Sequence, residues 1–144
     1  MEFEQLRDLS GKRITQDIRF ASSPEVSPNL VFDHIRVDNS LNYDVLLNGT
    51  FKPGIPSVTF NFVIRGTGPI CRICVNGTIH GSVGRTHKHA LTDASDSRLN
   101  LPTAIARPDL ENKLPREVWQ ILCDQVLIEH TGTFFDPTQY CYGN

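Results

Sequence analysis

Between Asp44 and Asp93 the chain has no aspartate or glutamate, although sixteen acids stand elsewhere in its 144 residues. The same interval holds Lys52, Arg65, Arg72, Arg85 and Lys88, so the middle is about +5. The flanks, with nine cations against sixteen acids, are about −7. A net charge of −2 argues against a polyanion partner taken whole. Charge segregated in this way argues for an anionic partner met by the middle alone.

Long apolar runs are missing too. The runs present, such as Val45-Leu46-Leu47, are strand-length, so no membrane span and no membrane partner are expected. Catalytic signatures are also absent: there is no G-x-S-x-G elbow, Walker loop, G-x-G-x-x-G or H-E-x-x-H. The opening Met1-Glu2-Phe3-Glu4-Gln5 is acidic and has no apolar core, which predicts no export and a cytoplasmic location. Cys71, Cys74, Cys123 and Cys141 are then expected as reduced thiols. The two Asn-Gly-Thr tripeptides at 48–50 and 76–78 are expected as turns and not as glycosylation sites.

The length suits one domain over 1–144, able to bury roughly two-thirds of its unfolded surface. Phe3, Leu6 and Leu9 predict a short helix over 2–9. Strands are predicted over 13–20, with Ile14, Ile18 and Phe20 on one side, over 30–37 and over 43–47. Asn48-Gly49 follows as a type I′ hairpin turn. Thr59 to Arg65 alternates, Gly66-Thr67-Gly68-Pro69 turns, and Ile70 to Val75 returns. If Arg65 pairs with Ile70, Phe60, Phe62 and Ile64 share a face with Cys71, Ile73 and Val75. The other face then carries Thr59, Asn61, Val63, Arg65, Ile70, Arg72, Cys74 and Asn76. From Gly77 to about Thr103 the pattern reads as a long loop with one short strand, and such loops are usually functional or mobile.

A helix is predicted over 115–130, with Pro115 in its first turn and an apolar stripe of Val118, Trp119, Ile121, Leu122, Val126 and Leu127. His130 reads as a cation at its C-terminal end and Gly132 as its terminator. The expected fold is α+β: a twisted antiparallel sheet of five to six strands, with the C-terminal helix packed on one face.

The segment from Cys71 to His89 concentrates the chemistry. A C-x-x-C followed by H-x-H could ligate zinc, but strand alternation sends Cys71 and Cys74 to opposite faces, so no metal is expected. Cys74 beside His80 could imitate a thiol–imidazole pair, although buried strand cysteines are usually inert. Metal-free phosphodiester chemistry needs a base, an acid and cations near the phosphate. His80, His87 and His89 are the candidate catalytic groups, and Arg72, Asn76, Arg85 and Lys88 the candidate substrate-binding groups. Whether His80 lies on the face of Arg72 or on the apolar face depends on how Asn76-Gly77 turns, and both arrangements stay open. His34 reads as an ordinary strand histidine. No cofactor is expected.

Arg72-Ile73-Cys74-Val75-Asn76-Gly77, with His80 and the H-x-H of His87 and His89, resembles a segment of a group of small uncharacterised bacterial and prophage proteins. The resemblance covers some twenty residues, and Cys74 stands where an acidic residue is expected. It implies a bacterial or mobile-element setting, where small proteins are often toxins, antitoxins or inhibitors of host machinery. Two readings follow. The first is a nucleic-acid-directed protein with RNA as partner, in its most specific form a metal-independent ribonuclease of toxin type. The second is a non-enzymatic binding or inhibitory protein (antitoxin-like, anti-CRISPR-like or a phage or host-defence inhibitor) acting on a partner protein.

Overall fold

The computed structural model describes residues 3–25, 27–54, 56–75, 87–90 and 104–138. After helix α1 (Phe3–Asp8) come three short strands, β1 (Lys12–Ile14), β2 (Ile18–Arg19) and β3 (Ala21–Ser22). Four long strands follow: β4 (Leu30–Val37), β5 (Val45–Lys52), β6 (Ser57–Ile64) and β7 (Gly68–Val75). Then come β8 (His87–Ala90), β9 (Ala104–Ala106), a 3-10 turn (Pro108–Leu110), α2 (Pro115–Gln125), β10 (Ile128–His130) and β11 (Phe134–Phe135). The fold is α+β, as the alternation predicts. Strands β3 to β9 form one antiparallel sheet in sequence order, six of them three residues or longer and β3 only two.

Alternation decides which side of this sheet becomes core. Val45, Leu47 and Phe51 on β5, Val58, Phe60, Phe62 and Ile64 on β6, and Cys71, Ile73 and Val75 on β7 are all buried. Helix α2 closes this face through Val118, Trp119 and Leu122. The Trp119 ring lies 5.3 Å from Phe60 and stacks on Phe134 at 5.7 Å. Burial of each such side chain contributes roughly 1.5–3 kcal/mol, which makes this aromatic layer the main hydrophobic tie between helix and sheet.

Four local expectations are corrected. Asn48-Gly49 is no turn: both lie inside β5, which runs on to pair Lys52 with Ser57. Gly49 is required because the Phe32 ring lies over it, and a Cβ there would stand 2.1 Å from that ring. The β6–β7 hairpin pairs Phe62 with Cys71 and Ile64 with Gly68, in place of Arg65 with Ile70. Ile70 is the extra residue of a bulge, and the two apolar triplets still share a face because the slip beyond the bulge is two residues. Helix α2 stops at Gln125, because Leu127 adopts a left-handed φ of 58°. His130 is therefore a strand residue and not a helix-end cation. Gly132 ends no helix; it lets the chain pass close to the Gln16 carbonyl, where a Cβ would lie 2.4 Å from the oxygen.

The predicted strand over 13–20 is broken into β1 and β2, each finding a partner far along the chain. β1 pairs in parallel with β10 (Ile14 with His130) and β2 in parallel with β11 (Ile18 with Phe134). Lys12, 4% exposed, donates through Nζ to the carbonyls of Leu6, Arg7 and Leu9 and so ties off the end of α1. Burial pulls its ammonium down to about 8. The start of α2 is capped twice. Glu117 Oε1 accepts from Leu114 N at 2.9 Å, and buried Asp136 accepts from Arg116 N at 3.0 Å. No helix among the described residues is long and apolar enough to cross a membrane.

Candidate functional site

The face of the sheet away from α2 is built from the alternate residues of the same strands, and its register makes two rows. One row crosses Asn48, Asn61, Arg72 and His89, from β5 to β8. It begins at a β4 bulge, where Asp33 and His34 together oppose Asn48 and His34 takes a φ of 59°. The next row crosses Thr50, Thr59, Cys74 and His87. Adjacent strands lie about 4.8 Å apart and alternate residues of a strand about 6.8 Å apart. The positions of Arg72, Cys74, His87 and His89 thus form one compact quadrilateral.

Of the predicted site residues, Arg72, His87 and His89 are brought to one face by register. Lys88 is not: it stands opposite Ile73, on the parity of the core. Asn76, His80 and Arg85 lie outside the described residues. The structure adds Asn61 and Asn48. Asn61 was legible from alternation, whereas Asn48 was hidden by its reading as a turn residue.

Arg72 is half-buried, and among the described residues its Nε has no hydrogen-bond partner; neither has Oδ1 of Asn61, its cross-strand neighbour. A buried donor and a buried acceptor left open on adjacent strands each forgo about 1–3 kcal/mol, so a ligand satisfying both would recover it. Thr59 Oγ1 lies 3.7 Å from Cys74 Sγ, and burial pushes the Cys74 thiol up. That thiol is no ready nucleophile. Strand β7 stays regular from Cys71 to Val75, which keeps Cys71 in the core and Cys74 on the opposite face. Among the described residues no three His, Cys, Asp or Glu side chains gather as a metal site.

Strands β5 to β9 carry no Asp or Glu. One of the cations from the acid-free interval is nevertheless engaged: Arg65 Nε lies 3.3 Å from Asp44 Oδ2 at the far end of the hairpin. A separate cleft of about 430 Å³ opens between Phe51, Val58 and Val75 and the turn from Glu111 to Pro115. None of its described lining residues belongs to the two polar rows, and its titratable groups, Glu111 and Lys113, make no acid–base–nucleophile set. No protein-family profile, curated protein or solved structure matches the chain.

Proposed function

We propose that this protein acts on RNA in the cytoplasm of a bacterial or mobile-element host, through the sheet face of Arg72, His87 and His89, as a metal-independent ribonuclease. The observation that supports this is the register: on the neighbouring strand one histidine position stands directly opposite a half-buried arginine and a second stands diagonally, opposite Cys74, on a set of strands without a carboxylate. Arg72 takes the phosphate, because a guanidinium offers paired donors to its oxygens. One imidazole accepts the proton of the ribose 2′-hydroxyl as that oxygen bonds to phosphorus. The bond from phosphorus to the 5′-oxygen breaks, and the second histidine, as imidazolium, gives its proton to the departing oxygen. The chemistry consumes no metal and leaves a cyclic phosphate. Asn76 and Arg85 are assigned to the same substrate path, and His80 to the catalytic groups, by sequence proximity alone; Lys88, on the parity of the core, is left out.

The test is cleavage of single-stranded RNA in the presence of a chelator, with the DNA of the same sequence as control. RNA but not DNA should be cut, because only RNA carries the 2′-hydroxyl. His87→Ala and His89→Ala should each lower the rate by about 10²–10⁴-fold with an unchanged circular dichroism spectrum. Arg72→Ala should weaken binding to all sequences and flatten the salt dependence by about one unit of slope. Absence of cleavage, together with salt-insensitive binding, would defeat the reading. The second reading, an inhibitor docking on a partner protein, draws on part-buried Leu46 and Val63, which adjoin the polar rows on the same face, and on the net charge of −2.

A further inference from the structure

The sole tryptophan, Trp119, donates through Nε1 to His130 Nδ1 at 3.0 Å, and His130 Nε2 lies 2.8 Å from the Gln16 carbonyl oxygen. The partners fix the proton. An indole N–H can only donate, so Nδ1 must accept; a carbonyl oxygen can only accept, so Nε2 must donate. The ring is therefore neutral, with its single proton on Nε2. We infer that His130 is an acid-sensitive latch joining α2 to the connection between β1 and β2.

A second proton has one place to go, Nδ1, and there it would face the indole N–H as donor against donor. The indole cannot turn away to find water. It is 3% exposed, stacked on Phe134 and packed against Phe60. The His130 ring is the part free to move: it is half-buried and stands edge-on to the tryptophan. Swinging outward, it gives up the Gln16 carbonyl as well, so one protonation opens both bonds. Around the latch, Thr131 N to Ile14 O and Ile18 N to Thr133 O, each 2.9 Å, remain as backbone ties. The loosening is therefore local to the ring and the helix it holds.

The charged groups near it are engaged with other partners. Arg13 of β1 pairs with Glu129 of β10 at 3.8 Å, and Asp17 accepts from Thr133 N at 2.9 Å. From β4, Arg36 pairs with Asp38 at 3.0 Å while its backbone N–H donates to the Gln16 side chain. At the start of α2, Asp136 is bonded to the Arg116 backbone. Neither nitrogen of the His130 ring is bonded to any of them.

Two measurements test the latch. A long-range proton–nitrogen spectrum of the wild type at pH 8 should show His130 as the Nε2–H tautomer; an Nδ1–H tautomer overturns the inference. Denaturant unfolding, followed by Trp119 fluorescence, should then be compared at pH 8 and pH 5 for the wild type and His130→Gln. The glutamine amide can accept from the indole and donate to Gln16, and it does not titrate. The folding constant of the wild type should fall about tenfold more than that of the variant, the worth of roughly one hydrogen bond. Equal falls in the two proteins overturn the inference. If His130→Gln does not fold, Trp119→Phe, read by circular dichroism, serves instead. Without the indole N–H its acid sensitivity should be smaller than the wild type's by the same factor, and an undiminished one counts against the latch.

Discussion

The two faces of β5, β6 and β7 are made of the same residues taken alternately, yet they meet opposite requirements. Toward α2, the inward positions of these strands carry apolar side chains except at Gly49 and Gly68, and Gly49 yields its space to Phe32. On the other side stand Asn48, Asn61, Arg72, Thr59 and Cys74, with two polar atoms left open. The first face is satisfied within the chain, and the second is not. Stability and recognition are thus interleaved one residue apart, and a substitution should affect one or the other according to parity.

The largest break should come from Phe60→Ala, which empties the centre of the aromatic layer under Trp119. A loss of about 3–5 kcal/mol in urea unfolding is expected; a loss under 1 kcal/mol would mean that α2 is not held by this face. Next comes Gly49→Ala. The added methyl would stand 2.1 Å from the Phe32 ring and should cost about 1–3 kcal/mol, whereas Asn48→Ala beside it should change stability by under about 0.5 kcal/mol. If the order of these neighbours were reversed, the parity argument would fail. The smallest effect on folding is expected from Arg72→Met, which keeps the aliphatic stem and removes an unpaired donor. Stability should stay within about 0.5 kcal/mol of wild type or rise, while RNA affinity falls. A destabilisation beyond 2 kcal/mol would make Arg72 a structural residue and remove it from the proposed site.

Alternation and local turn chemistry carried much of the fold. The strand over 30–37 was legible to the residue, and the Phe60/Phe62/Ile64 face followed from its period of two. What was not legible had identifiable causes. Asn48-Gly49 has the composition of a turn, but a ring from β4 needed the bare Cα, and nothing near Gly49 in the chain reveals that ring. The apolar stripe runs past Gln125 into Val126 and Leu127, so the pattern carried the helix beyond the point where the backbone reverses. The parallel pairs β1–β10 and β2–β11 join segments more than a hundred residues apart, and no local pattern encodes such a partnership. For the site, the crowding of His87, His89 and Arg72 was visible in the sequence. Their common face was not, because it depends on how the chain returns from β7 to β8.

The parallel pairing of the two arms also sets an order in time. Residues 12–19 leave the ribosome more than a hundred residues before the strands that flank them, 128–135. During that interval the central meander can close hairpin by hairpin, each strand finding the one just before it. The early arm cannot; Ile14 and Ile18 wait with an open strand edge beside them. A translation product halted before Ile128 would keep that edge and its apolar side chains uncovered, which is the arrangement most apt to recruit a second unfinished chain. The later-made strands are therefore the guard of the earlier.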